Sequence, residues 1–355
     1  MLSAAVVVVG IPSSQQEPVV EEHDSENVAY DAFRLVFIPW QRRRRLAREQ
    51  ERMHIKRRSK TLSVGLYQPF YALIDGDVVY WGGIGEYNLP DEMHGCIFEM
   101  RDNFISVSAG VRHCIALQSD GNVMCWGDNE HGQAPPDGMA GDFVAIGAGG
   151  SHSLALRRDG SVACWGNNNG DQAPPAGVAG DFVDIAAGTG HSIAIRRNGS
   201  IACWGHNGYG QAPPDGIEGD FVAIDAGSQH SLALRRNGSI ACWGNNDEGQ
   251  APPDGVDGDF VAIAAGTYHS AAIKRDGSLA CWGTDVNICT GENRPLHAPP
   301  EGIAGNGGSF VAIAAGGNRA LAIRQDRDGN DDAIVCWSGT EFIEVEMNEE
   351  SEEEE

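Results

Sequence analysis

Apolar and polar positions alternate along this chain in short runs, and the runs themselves recur. In the stretch from Phe221 to Asp259 the runs are Phe221-Val222-Ala223-Ile224, then His230-Ser231-Leu232-Ala233-Leu234, then Ser239-Ile240-Ala241-Cys242-Trp243. Alternation over so few residues predicts strands rather than helices. Asn237-Gly238 separates the second run from the third. Asn-Gly or Asp-Gly between apolar runs is the strongest short hairpin signal, and its two-residue form needs φ > 0 at both positions. The unit therefore reads as a small antiparallel sheet. It begins at Phe143, Phe182, Phe221 and Phe260, each 39 residues after the last, with a looser copy from Phe104 and a stretched one from Phe310. A fixed period in this range marks solenoids and propellers.

The Trp that ends the third run counts the units: Trp81, Trp126, Trp165, Trp204, Trp243, Trp282 and Trp337, seven in all. The first unit has a poor opening run, Thr61-Leu62-Ser63-Val64, whereas Phe342-Ile343-Glu344-Val345 is a good opening run with no unit after it. Such an arrangement suits a ring closed by its C-terminal strand, because closure removes exposed sheet edges. The expectation is that Phe342–Val345 pairs in the sheet that contains Tyr71–Trp81.

The punctuation of the repeat is specific. From Ala148-Gly149 to Trp165-Gly166-Asn167-Asn168 it runs A-G-x-x-H-S-x-A-[LI]-x-x-[DN]-G-x-[VIL]-x-C-W-G-x-N, and it recurs over roughly residues 100–338. In this the chain resembles the regulator-of-chromosome-condensation repeat family, and its compact unit is similar to those of bacterial members such as a propeller that inhibits β-lactamases. The resemblance implies an all-β fold, a seven-bladed β-propeller over residues 61–345. It does not imply one task, since propellers of this family serve as guanine-nucleotide exchange factors, ubiquitin-ligase modules, inhibitors and scaffolds.

Charge adds structure at the two ends. The net charge is −25, yet residues 1–70 hold 11 Lys+Arg against 8 Asp+Glu, and the last fifteen residues hold nine Glu and no base. A moderately acidic repeat body argues against a general nucleic-acid surface there. Residues 1–40 read as a flexible arm with a short apolar patch from Phe33 to Trp40. Residues 41–60 read as a polar helix or linker, and residues 346–355 as a disordered acidic tail. Arg44 and Arg45, then Lys56, Arg57, Arg58 and Lys60, have the two-cluster spacing of a nuclear import signal, which an import receptor would read. A plain charged linker and a nucleic-acid contact are the alternatives. No run reaches the ~20 apolar residues of a membrane span. The opening Met1–Gly10 lacks the basic flank and cleavage site of a secretory signal, so a nuclear or cytoplasmic monomer is expected.

Six of the nine cysteines stand directly before the repeat Trp. Equivalent positions on packed sheets lie about 10 Å apart, beyond the reach of a disulfide, so these are expected to be small buried thiols. Five histidines sit in register at His113, His152, His191, His230 and His269, one for each sheet. That placement spreads them around the ring instead of converging them, and bonding to neighbouring backbone within the sheet is expected. No Ser–His–acid or phosphate-loop geometry is suggested, and neither catalytic residues nor cofactors are expected. Asp326, Asp328, Asn330 and Asp332 cluster oxygen ligands in a widened turn, a weak calcium candidate against the simpler reading of an acidic turn. Paired bases, Arg157-Arg158, Arg196-Arg197, Arg235-Arg236 and Lys274-Arg275, fall at the same hairpin turn of four successive units. Ion pairs between units with the Asp before each opening run are expected there, and a basic crescent that grips an acidic partner is the alternative.

Where otherwise identical copies differ, folding does not dictate the residue, and specificity can be written there. These positions cluster in the Ala-Gly-x-x-His turns and the loops after Trp-Gly. They include Arg112, His131, Tyr209, Gln229, Glu248 and Tyr268, joined by Asn287 and Arg294 from an eleven-residue insertion around Thr284–Leu296. The expected function is binding of another protein through that face. The alternatives implied by the family are nucleotide exchange on a Ran-like small GTPase and a ubiquitin-ligase accessory role, with histones as a further partner for the acidic tail.

Overall fold

The computed structural model describes residues 61–64, 70–74, 77–81, 98–101, 103–286, 293–295, 309–317, 319–325, 331–338 and 341–346. All regular elements among them are strands, arranged as seven antiparallel sheets in chain order. Blade one holds β1 (Thr61–Val64), β2 (Phe70–Ile74), β3 (Asp77–Trp81) and β4 (Phe98–Arg101). Blade two holds β5 (Phe104–Ala109), β6 (His113–Gln118) and β7 (Val123–Gly127); blade three holds β8 (Phe143–Ala148), β9 (His152–Arg157) and β10 (Val162–Gly166). Blade four is β11 (Phe182–Ala187), β12 (His191–Arg196) and β13 (Ile201–Gly205), and blade five is β14 (Phe221–Ala226), β15 (His230–Arg235) and β16 (Ile240–Gly244). Blade six adds a fourth strand, with β17 (Phe260–Ala265), β18 (His269–Lys274), β19 (Leu279–Val286) and β20 (Asn293–Pro295). Blade seven is β21 (Ser309–Gly316), β22 (Arg319–Gln325), β23 (Asp331–Ser338) and β24 (Glu341–Glu346).

The middle strand of each blade from two to seven is buried on both faces, because blades stack against each other across it. Each seam has its own apolar cluster. Leu154, Leu156 and Cys164 of blade three, for example, meet Phe182, Ile185 and Ala194 of blade four. The first strands of blades two to seven line an open cavity of about 280 Å³ at the axis. Each of these six carries a bulge at its start: Phe143 faces Arg157 but Ala145 faces Leu156, so Val144 is the extra residue. The bulge turns the Phe inward and the next residue outward. Val144, Val183, Val222, Val261 and Val311 are accordingly exposed, as is Ile105.

Three expectations need correction. The hairpin turns are not two-residue turns with φ > 0 throughout. Arg157 N–H donates to Ser161 O and Gly160 N–H to Arg157 O, and of the central residues only Gly160 has positive φ, at 89°. This is a type I turn closed by a glycine bulge. It leaves Asp159 in an ordinary conformation, with Oδ1 accepting from Ser161 N–H at 2.9 Å. The middle blades also carry a trace of a fourth strand that the periodicity conceals. Val162 and Val178 exchange two backbone hydrogen bonds, as do Ile201 with Ile217 and Ile240 with Val256.

The C-terminal strand does not complete the first sheet. β24 pairs with β23, Trp337 facing Phe342 and Ile334 facing Val345, so the C-terminal strand is the outer strand of blade seven. It does not enter the blade of Tyr71–Trp81, where β1 already pairs with β2. The ring closes by packing, with β1 lying beside both β5 and β21. Phe342–Val345 resembles an opening run because any strand with one half-buried face shows that alternation.

Candidate partner-binding face

Within a blade, the start of the second strand lies beside the end of the third. His113 faces Gly127, His230 faces Gly244 and His269 faces Gly283. The Ala-Gly-x-x-His turns and the loops after Trp-Gly therefore share one face, here the loop face. On it Arg112, His131, Tyr209 and Tyr268 are exposed, whereas Gln229 and Glu248 are half-buried. Arg294 lies in β20 opposite Asp285, and Asn287 falls outside the described residues. The insertion thus prolongs β19 past Gly283 and returns as β20, a hairpin standing on the loop face.

The loops on this face are held rigidly, by a device the strand pattern does not reveal. Gln133, Gln172, Gln211 and Gln250, each before Ala-Pro-Pro, are buried. Their side-chain Oε1 atoms accept from the N–H of His131, Gly170, Tyr209 and Glu248 at 2.8–2.9 Å. The following Ala N–H in turn donates to an Asn Oδ1, as Ala212 does to Asn207 at 2.9 Å. The signal in the sequence is the recurrence of Gln-Ala-Pro-Pro itself, since a loop polar residue kept in every full copy has a partner to satisfy. Side chains at His131, Tyr209 and Glu248 therefore project from fixed backbone. Glu248 is itself engaged, its Oε2 accepting from Thr284 Oγ1 at 3.0 Å, which ties the base of the blade-six hairpin to blade five.

The same glutamines clip neighbouring blades together. The Gln172 carbonyl accepts from Ser192 Oγ at 2.9 Å and from Trp204 Nε1 at 3.0 Å, both in the next blade. Because the serine proton goes to that carbonyl, Ser192 Oγ accepts from His152 Nε2–H, at 3.0 Å. The pattern repeats for His113 with Ser153, His191 with Ser231 and His230 with Ser270, at 2.8–2.9 Å. These histidines thus bond a side chain across the seam, not backbone within their own sheet. Burial holds the pKa of His152 and His230 down at about 3, and that of His113, His191 and His269 at about 4. They are therefore neutral at pH 7.

On the opposite, turn face, the ion pairs form within blades: Arg158 with Asp142 at 3.0 Å, Arg236 with Asp220 at 2.8 Å and Arg275 with Asp259 at 2.9 Å. They do not bridge units, because the Asp before the first strand and the Arg after the second belong to one sheet. The first base of the pair, at Arg157, Arg196 and Arg235, lies over the Phe ring of its own blade at 5.3–5.6 Å. The cysteines that precede the repeat Trp, among them Cys125, Cys164, Cys203, Cys242 and Cys281, are free thiols whose pKa burial raises to about 12.

No group of His, Cys, Asp and Glu among the described residues could hold a metal ion. Asp326, Asp328 and Asn330 fall outside those residues, and Asp332 is described only as backbone of β23. The basic cluster of Arg44, Arg45, Lys56, Arg57, Arg58 and Lys60 also lies outside them. No helix among the described residues is long and apolar enough to cross a membrane.

Residues 104–133, 143–172, 182–211, 221–250 and 260–287 each match the regulator of chromosome condensation (RCC1) repeat. The chain belongs to the RCC1 repeat family. The RCC1 repeats matched here are the clipped arc of blades two to six. No curated protein matches the chain. Among solved structures it is similar to Prp20p of Saccharomyces cerevisiae, reported with its binding properties to Gsp1p and histones, at 20% identity over 72% of this chain and 80% of that one, with a TM-score of 0.57. The CRINKLY WD40 ectodomain of the Arabidopsis thaliana receptor kinase ACR4 is 23% identical over 81% of this chain and 97% of its own, with a TM-score of 0.60. Human WBSCR16 is 16% identical over 74% and 86%, with a TM-score of 0.52. What is shared with these three is the RCC1-type propeller fold.

Proposed function

We propose that this RCC1-repeat propeller is a non-enzymatic binding module that takes a protein partner on its loop face. The observation that carries this reading is the hydrogen-bonded loop frame, which holds exposed Tyr209 and His131 in place beside the blade-six hairpin. Rigid loops that present aromatic side chains suit recognition, since little conformational freedom is lost on binding. Among the described residues the face and its hairpin carry Asp128, Glu130, Asp171, Asp247, Glu248 and Asp285 against Arg112, Arg294 and Arg319. Its complement is a basic protein surface. The test is affinity capture with wild type, a deletion of residues 284–296, and the double variant Tyr209→Ala, Tyr268→Ala. The partner should be lost from both altered proteins and kept by Arg158→Ala on the turn face. Retention by the first two would refute the reading.

A second reading, nucleotide exchange on a Ran-like small GTPase, draws on the likeness to Prp20p and its reported binding of Gsp1p. Accelerated nucleotide release from a Ran-type GTPase would establish it in place of the first.

A further inference from the structure

Four seams of the ring, from blade two through blade six, are closed by the same clip of histidine, serine and glutamine carbonyl. The seam between blades six and seven breaks the pattern. His269 stands on the blade-six side, but Ala320 occupies the blade-seven position where the other blades have Ser153, Ser192, Ser231 and Ser270. Among the described residues Nε2 of wholly buried His269 has no hydrogen-bond partner, whereas Nδ1 is without one in the intact clips as well. Nε1 of buried Trp337 in the same seam has none either; the loop position that supplies the tryptophan's acceptor in the other blades, His297 here, lies outside the described residues. The Arg319 backbone stands beside the His269 ring, as the His152 backbone does beside His113 in an intact clip, and the thiol of Cys281, a weak acceptor, stands beside Trp337. In the intact clips the equivalent Nε2 donors are satisfied, and so are the Nε1 donors of Trp165, Trp204, Trp243 and Trp282. Beyond blade seven the clip is absent by sequence, with Arg319 and Pro69 at the histidine position of blades seven and one.

We infer that the ring is a rigid arc of blades two to six closed by a gate, and that the gate opens at the seam between blades six and seven. Buried donors without good partners favour an open seam, where water can satisfy them, and so lower the free energy of separating these two blades. Each clipped seam instead loses a serine bond and a tryptophan bond on opening. The backbone bridge from Thr267 N–H to Gly317 O, at 2.9 Å, still crosses the weak seam, which is why the gate rests closed.

These seams carry their own reporters, the thiols of the repeat. Cys281 packs in the seam between blades six and seven, and Cys203 in the seam between blades four and five. Both thiols pack against the apolar residues of their seams, so opening a seam speeds alkylation of its thiol. Pulsed alkylation of the full chain, mapped by peptide mass spectrometry, should label Cys281 at least about tenfold faster than Cys203, since about tenfold is the ratio expected for a single unsatisfied buried donor. Ala320→Ser supplies the missing hydroxyl and should bring Cys281 down toward the Cys203 rate. Ser231→Ala removes the clip of the other seam and should speed Cys203 while leaving Cys281 unchanged. Equal rates in the wild type would overturn the gate, and so would an Ala320→Ser variant that labels as the wild type does.

Discussion

Gly149 has no left-handed φ, yet an added Cβ would run into the His152 ring and into the Gly188 carbonyl of the next blade. The glycine of Ala-Gly-x-x-His is there for close approach: it leaves room for the imidazole beside the chain, from where the ring reaches Ser192. Gly160 answers to a different constraint, since its φ of 89° closes the hairpin turn. Gly149→Ala should therefore lower the melting temperature by about 5 °C or more, on the order of what a few kcal/mol costs a chain of this size. Thermal unfolding followed by circular dichroism checks this, and a change within about 1 °C would show that the ring can shift at no cost. The need for glycine is legible in the repeat, but its cause is not. Periodicity records that a position is fixed without saying which neighbour fixes it.

Among the strands, the pairing of β24 with β23 changes what a truncation should do. As the outer strand of blade seven it pairs with β23 and with no strand of another blade among the described residues. Removing residues from Phe342 onward should cost a few degrees of melting temperature and leave a cooperative transition. Collapse of the cooperative transition would instead show that the strand holds the ring shut. The blade-six hairpin is a second case. Its apolar pattern is too short to separate from a loop, and only pairing of Thr284 with Pro295 and Val286 with Asn293 makes it a strand extension. Deleting residues 284–296 removes the bond from Thr284 to Glu248 but no clip. The folded ring should persist in thermal unfolding while partner capture is lost.

For the propeller taken together, buried titratable groups set a pH profile with a definite sign. The five repeat histidines stand at about 3 to 4 in the fold against an ordinary 6.5, so below pH 6.5 the unfolded chain binds protons that the fold refuses. That contribution lowers stability as pH falls through 6.5 toward 4. Asp184 and Asp225 act oppositely. Burial raises them to about 6 and about 7 from 3.8, so between pH 4 and 7 the fold keeps protons that the unfolded chain has lost. Five groups against two leave unfolding with a net uptake of about three protons near pH 5. Stability should fall steeply from pH 6.5 to 4.5, and a flat denaturation midpoint over that range would contradict the burial of the histidines. Asp184→Asn, which can keep the bond from Ile185 N–H, should stabilise the protein at pH 7.5 and change little at pH 4.

The order of amino acids is enough to specify the blade: its strands, the place of its turns, the count of seven and the family. Those features are local or repeat at fixed spacing, and a pattern of apolar residues encodes which side of a strand must leave water. The same pattern marks the face where the copies differ, with Tyr209 and Tyr268 among the residues found exposed there. How the blades hold one another emerges only from the folded ring. The bonds from Ser192 and Trp204 to the Gln172 carbonyl, and from His152 to Ser192, join residues of adjacent units, and no single copy contains both partners. The place of β24 in blade seven is of the same kind, because pairing between strands depends on which edge lies near and not on the composition of the run.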